Sequence, residues 1–369
     1  MGKNPYSNIF PYFCPVKTFA VSDKPILIAG PCSAESPEQL SLTFAALAQC
    51  GKADIFRAGV WKPRSRPGSF QGMGSEALPV LQQLQALHGI PVAIEVAEPE
   101  HVEQALKHQI GIVWIGARTV SNPFSMQKLA TSLKASGIGV MIKNPAYPDI
   151  DLWSGAAERL IENGITQLAA IHRGFFPFEK TELRNTPRWE VPIEFRRRFP
   201  DIPMIGDPSH IAGKKTFVAD IAQRAFDLNF AGLMTEVHHD PKHALSDSRQ
   251  QLSPDEYCRM IDGLHYRVGF SENPEFTNHL EDLREKIDVI DFQLLELLMH
   301  RMRYVDEIGQ FKKQNNVAVL QLKRWGRILE SRLEQARQAG LSESFIRQLL
   351  EMIHKESIAR QTEIMKKNT

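Results

Sequence analysis

The sequence predicts an α/β chain: a (β/α)8 barrel of parallel strands, then a smaller domain of three helices. Three observations carry this. Eight short β-rich runs alternate with helix-patterned stretches over about 250 residues, the number and length of a closed barrel. Neither a Gly-x-Gly-x-x-Gly fingerprint nor a phosphate-loop pattern is present to support the rival, a doubly wound open sheet. After residue 265 the alternation stops, and the periodicity is helical almost to the end.

The strands fall in order at "PILIAG" (25–30), "DIFRAG" (54–59), "PVAIEV" (91–96), "IVWIGA" (112–117), "GVMIKN" (139–144), "LAAIHR" (168–173), "PMIGD" (203–207) and "GLMTEV" (232–237). Amphipathic stretches such as "SEALPVLQQLQALHG", "PEHVEQALKHQ" and "AAERLIENG" separate them, often closing on Gly as helix C-caps do. Ser36 and Pro37 in "SPEQL" provide an N-cap and first helical position. The expected organisation is a barrel over 1–268, a polar linker over 269–279 and a helical domain over 280–369. Leu283, Ile287, Ile290, Leu294, Leu297, Val305 and Ile308 recur at helical spacing. A helix running from 280 to about 314 is about 50 Å long, too long for a tail of this size to enclose, so it is expected to pair with a second copy as a homodimer. Two further helices are expected near 321–338 and 342–367.

Composition excludes several classes. A net charge of +1 in 369 residues makes no global case for nucleic acid or an anionic membrane. The first residues lack an apolar run long enough for a signal peptide or a span, and the myristoylation pattern fails. The 4 cysteines (14, 32, 50 and 258) have no CxxC spacing and read as reduced thiols of a cytoplasmic protein.

Barrel enzymes keep their chemistry at the C-terminal ends of strands. Cys32 follows the first strand there, in "IAGPCSAES". Arg57 lies in the second strand and Lys62 follows it, while Arg118, Lys143 and Arg173 end the fourth, fifth and sixth. Gathered together they would repel one another unless an anion neutralised them, and a phosphate plus a carboxylate suits arginine forks. Cys32, His210, Glu236 and Asp247 form a second group whose mixed thiolate, imidazole and carboxylate donors suit a divalent transition metal. Spacing alone does not choose among Glu236, His238, His239 and His243 as ligands.

The blocks "GPCS", "KPR" with "SFQG", "IGAR", "DPSH" followed by "GK", and "EVH" with "ALSD" resemble the type I-beta 3-deoxy-D-arabino-heptulosonate 7-phosphate (DAHP) synthases. The resemblance covers 25–265. It implies condensation of phosphoenolpyruvate with erythrose 4-phosphate. It also implies a divalent metal, of Mn, Fe, Co or Zn type, on Cys32, His210, Glu236 and Asp247. Phosphoenolpyruvate would lie among Arg57, Lys62, Arg118, Lys143 and Arg173, and the phosphate of erythrose 4-phosphate near Arg64 and Ser65. Lys62 is expected as proton donor to the aldehyde oxygen, its pKa lowered by neighbouring arginines. The related octulosonate phosphate synthases carry a loop resembling "KANR", against which "KPR" argues.

Residues 280–367 resemble the all-helical chorismate mutases through "LREKID", "LLxLLxxR", Lys312, Arg324 and "ESxxxQ". Arg301 and Lys312 fall on the stripe of Ile287, Leu294 and Ile308, expected to face the core, where unpaired cations need an anionic ligand. The resemblance assigns Arg284, Arg301 and Arg324 to the carboxylates of chorismate or prephenate. It sets Lys312 and Gln361 at the ether oxygen and adds contacts from Ser357 and Gln321. Arg284 would serve the second copy's site. The family usually has acids at the positions of Gln321 and Trp325, and an indole cannot accept a hydrogen bond. Prephenate bound to the helical domain is the expected feedback effector of the barrel.

Overall fold

The computed structural model describes Phe19 and residues 24–63, 68–178 and 181–366. The chain divides into two compact units, one ending at Gly269 and one beginning at Phe270.

In the first unit, strands β1 (Ile26–Gly30), β2 (Ile55–Ala58), β3 (Val92–Val96), β4 (Ile112–Ile115), β5 (Gly139–Lys143), β6 (Leu168–His172), β7 (Met204–Gly206) and β8 (Gly232–Glu236) close a parallel barrel in sequence order. Around it run α1 (Pro37–Cys50), α2 (Ala77–His88), α3 (Pro99–Lys107), α4 (Ala117–Val120), α5 (Pro123–Leu133), α6 (Ile150–Glu162), α7 (Glu190–Arg198), α8 (Pro208–Ala212), α9 (Val218–Asp227) and α10 (Pro254–Gly263). Local chemistry sets their ends. The Ser36 hydroxyl accepts from Gln39 N at the start of α1, and Gly51 closes that helix in the left-handed region.

The period of two along each strand places the chemistry. Ile55, Ala93, Met141, Ile171, Ile205 and Met234 fill the barrel interior with Trp114. Two residues further along, on the same face, stand Arg57, Glu95, Lys143, Arg173, Asp207 and Glu236. The apolar plug thus ends in a polar layer at the barrel mouth. The β1–β8 register pairs Gly30 with Glu236, which brings Cys32 beside that carboxylate. Gly30 has φ +150°, and a Cβ there would collide with the Arg57 carbonyl, so only glycine lets β1 approach β2 this closely.

Two expectations are corrected here. Cys50 and Cys258 are joined in a disulfide, 208 residues apart in sequence with Cα atoms 6.4 Å apart, instead of standing as separate thiols. Only the packing of α10 on α1 brings them together, which spacing cannot reveal. Among the described residues Cys32 is the free cysteine; Cys14 lies outside them. Arg118 sits on α4, not on the fourth strand, which ends at Ile115.

The second unit is three helices, α11 (Pro274–Gln314), α12 (Leu322–Gln338) and α13 (Glu343–Lys366). Helix α11 starts inside the stretch read as linker, because Asn273 caps it through Glu275 N and Phe276 N and Pro274 takes the first helical position. Val305 and Gly309 are its buried residues. Ile287, Leu294 and Ile308, expected to face the core, are 56%, 52% and 46% exposed. A rod of 41 residues outruns partners of 17 and 24 residues, so the chain alone leaves much of the stripe uncovered. No described helix is long and apolar enough to cross a membrane.

Candidate active sites

At the barrel mouth, one ligand atom each from Cys32, Glu236 and Asp247 lies within 4.8 Å of the others. The Cys32 Sγ donates to Asp247 Oδ2 at 3.3 Å. Burial pushes the Cys32 thiol up to about 12, and the Glu236 and Asp247 carboxylates add to the effect. A cation is what would draw off that proton. Burial works against the ionised form of Glu236, yet His210 and Arg57 hold its pKa below the usual carboxylate value. Glu236 Oε1 is buried without a hydrogen-bond partner among the described residues, the kind of lone pair a metal takes up. Asp247 adopts φ +50°, a conformation uncommon outside glycine. It ion-pairs through Oδ1 with Arg184 at 3.0 Å.

His210 lies one step from the trio. Its Nδ1 contacts Asp207 at 2.8 Å, and its Nε2 is 3.6 Å from Glu236 Oε1. Burial lowers its pKa against the pull of Asp207 and Glu236, so the ring is neutral at pH 7 and Nε2 keeps its lone pair. The structure also separates the alternatives left open by spacing. His238 contacts Glu35 at 3.4 Å, His239 stacks on His238, and His243 bonds Asp240 at 2.6 Å, so none of the three joins the cluster.

Four of the five expected cations are buried or nearly so at this mouth. Arg57 is wholly buried; it reaches Glu236 Oε1 at 3.3 Å and lies 4.9 Å over the Trp114 ring. Its Nε and Nη1 have no partner among the described residues. Lys143 donates to Asp207 at 2.8 Å, and burial depresses its pKa. Arg173 bonds Asn185 Oδ1 at 3.0 Å, and burial lowers it to about 10. Lys62 donates to the Cys32 carbonyl at 2.9 Å and lies 3.6 Å from Glu95. Its expected depression is not found. Burial does pull it down, but the sulfur of Cys32, when charged, and the Glu95 carboxylate more than offset that, and the pKa is raised. The adjacent acids outweigh the adjacent Arg57. Arg118 is exposed on α4, close enough to Arg173 to repel its charge. Arg64 and Ser65 lie outside the described residues.

In the helical unit, α11 and α13 bring together four of the side chains named from the sequence. Arg301 donates to the Ser357 hydroxyl at 2.7 Å, and Lys312 to Gln361 Oε1 at 3.1 Å. Lys312 also bonds the Val319 carbonyl at 2.6 Å, which pins the segment ahead of α12. Ser357 and Gln361 are buried, and burial lowers both cations. Gln321 is the residue that precedes α12, and Arg324 is exposed in its first turn. Arg284 pairs with Glu281 at 3.3 Å. Seventeen residues from Arg301 along one helix, it stands about 25 Å from that site in its own chain.

A model described as the DAHP synthetase I family matches residues 16–263. The chain belongs to the DAHP synthetase I family. A second model, chorismate mutase type II, matches 283–362. The chain is 31% identical over 226 residues to a phospho-2-dehydro-3-deoxyheptonate aldolase of Thermotoga maritima, covering 61% of this chain and 64% of that protein's length. It is 28% identical over 254 residues to a 2-dehydro-3-deoxyphosphooctonate aldolase of a Synechococcus species, covering 64% of this chain and 86% of that one. A crystal structure of a Thermotoga maritima phospho-2-dehydro-3-deoxyheptonate aldolase (DAHP synthase) superimposes with a TM-score of 0.58 at 29% identity, over 64% of this chain and 67% of that one.

Within this DAHP synthetase I barrel, sequence reading missed the residues that hold the candidate ligands. Gln250, which is buried, donates to Glu236 Oε2 at 2.6 Å and accepts from Arg184 at 2.7 Å. Gln251 accepts from the backbone N of Cys32 at 3.0 Å and donates to the Ser246 carbonyl at 2.8 Å. The adjacent glutamines in "SRQQL", just after Asp247, were the only signal. Asp207 was visible in "DPSH", but its grip on both Lys143 and His210 was not.

Proposed function

We propose that the chain is a bifunctional enzyme of aromatic biosynthesis. The barrel condenses phosphoenolpyruvate with erythrose 4-phosphate to DAHP and phosphate, and the helical domain rearranges chorismate to prephenate. The observation that carries the first reading is the Cys32–Glu236–Asp247 cluster set against the unpartnered buried nitrogens of Arg57. One site thus offers donors for a cation and unmet charge for an anion. The "KPR" run at Lys62 favours the heptulosonate over the octulosonate product.

Phosphoenolpyruvate binds through its phosphate and carboxylate to Arg57, Lys62, Lys143 and Arg173, with Arg118 at the outer edge. Arg64 and Ser65 take the phosphate of erythrose 4-phosphate. Cys32, His210, Glu236 and Asp247 hold a divalent transition metal, which when bound polarises the aldehyde oxygen. Lys62, kept protonated by its acidic neighbours, gives that oxygen a proton as carbon 3 of phosphoenolpyruvate bonds to the aldehyde carbon. Water then adds at carbon 2, and phosphate leaves with its C–O bond broken.

In the helical domain Arg301 and Arg324 hold the two carboxylates. Lys312 and Gln361 face the ether oxygen, where negative charge grows as the C–O bond breaks. Arg284 completes the site of a second copy, and the exposed apolar stripe of α11 supports a homodimer through this domain. Prephenate held there is the feedback effector of the barrel. The cytoplasm is the compartment, supported by phosphorylated substrates that do not cross membranes unaided. A second reading, a helical sensor of weak turnover, is favoured by Trp325, whose indole accepts no hydrogen bond.

Two assays test both activities: phosphate release from phosphoenolpyruvate and erythrose 4-phosphate, with and without chelator, and conversion of chorismate to prephenate. Chelator-sensitive condensation together with mutase turnover is expected. Condensation at full rate in metal-free protein would remove the metal. Prephenate formation no faster than in buffer would leave the sensor.

A further inference from the structure

Helix α13 presents three polar side chains at one spacing. His354, Ser357 and Gln361 stand at i, i+3 and i+7 and so share a face. The last two bond Arg301 and Lys312. His354 is drawn into the same group, since Arg301 and Lys312 both repel a proton on its ring. Trp325, on the first turn of α12, stacks on the imidazole at 3.9 Å between centroids and 5° between planes. The Nε2 of His354 is buried and has no hydrogen-bond partner among the described residues.

The site otherwise offers mainly donors. Arg301 and Lys312 can only donate, and the Ser357 hydroxyl spends its proton on the Ile353 carbonyl while accepting from Arg301. A dianion satisfies such a site, but a neutral hydroxyl on the ligand also needs a lone pair for its proton. Trp325 supplies none. Burial, reinforced by the two cations, holds His354 below the ordinary histidine value, so at pH 7 the ring is neutral. With its proton on Nδ1, Nε2 is an acceptor.

We infer that His354, set by its stack on Trp325, is a ligand-binding residue of the helical site that accepts a hydrogen bond from a hydroxyl group of the bound dicarboxylate. This rests on the mutase-type reading of the site. Trp325 is a positioning residue. It fixes the plane of the ring and does not touch the hydroxyl.

The test uses the full chain and two probes, a bicyclic ether dicarboxylate shaped like the rearrangement's transition state, made with and without its ring hydroxyl. Calorimetry reads both affinities. The wild type should prefer the hydroxylated probe by about three- to tenfold, the scale of one hydrogen bond. His354→Leu should abolish that preference while still binding the deoxy probe. His354→Gln, which returns an acceptor near the Nε2 position, should restore part of it. Trp325→Leu should weaken it. Equal preference in wild type and His354→Leu would overturn the inference while leaving the mutase reading intact. Failure of the wild type to bind either probe would overturn both.

Discussion

Gln250 donates to the Glu236 carboxylate across 2.6 Å while its own carbonyl oxygen accepts from Arg184 at 2.7 Å. Because Arg184 also grips Asp247, one side-chain amide links two of the candidate metal ligands. Replacing it removes the hydrogen bond that holds Glu236 Oε2 and breaks the link from that carboxylate to the Arg184–Asp247 pair. Gln250→Leu is expected to weaken divalent metal binding by about ten- to a hundredfold, the usual range for a lost outer partner. Titration with Co2+, followed by its thiolate absorption band, measures this directly. An unchanged dissociation constant would show that Gln250 only packs.

The candidate metal ligands themselves should separate the two activities. Cys32→Ala and His210→Ala are expected to abolish condensation and to leave chorismate turnover within about twofold of wild type. Phosphate release and chorismate loss, followed on the same preparation, provide the comparison. Condensation surviving in both variants would remove these residues from the chemistry.

The converse holds for the helical site. Arg301→Ala and Lys312→Ala should each lower mutase turnover by about a hundredfold or more, the scale of one lost transition-state charge partner. Condensation without effector should be unchanged. A fall below threefold in both variants would leave only the sensor reading.

Acid sensitivity has a candidate in His172, which is fully buried among Phe175, Trp189 and Phe230. Burial drives its pKa down to about 3. Between about 6.5 and 3 the unfolded chain therefore binds a proton that the folded chain refuses. Stability is complete above 6.5 and falls as the pH drops through that window, at up to about 1.4 kcal/mol per pH unit from this group alone. His172→Phe should flatten the dependence by one proton. Denaturant midpoints for both proteins, taken from pH 4 to 7, report the difference.

Prephenate is expected to slow condensation in the full chain by weakening binding of the barrel's substrates. By linkage, those substrates should weaken prephenate binding by the same factor as prephenate weakens theirs, about 5- to 150-fold for ordinary couplings. A chain ending at Gly269 should lose the inhibition. Inhibition that persists there would place the effector on the barrel.

Much of this protein could be read without coordinates, because short-range rules decided it. The alternation of eight strand runs with helical stretches announced the barrel, and the C-terminal strand ends announced most of the side chains at its mouth. Ser36 and Pro37 announced the start of α1, and the spacing from Leu283 to Ile308 announced α11. Long-range proximity was not legible. The Cys50–Cys258 bond joins residues 208 positions apart that only the packing of α10 on α1 brings together. The sign of the Lys62 shift depended on Glu95, two strand positions past Ala93 on the neighbouring strand, and on the sulfur of Cys32. His354 looked like any helix residue until Trp325 was found stacked on it. Periodicity is a property of adjacent residues, so the chain carries it openly. Electrostatic balance and side-chain stacking are sums over neighbours in space, and only the folded structure determines which neighbours those are.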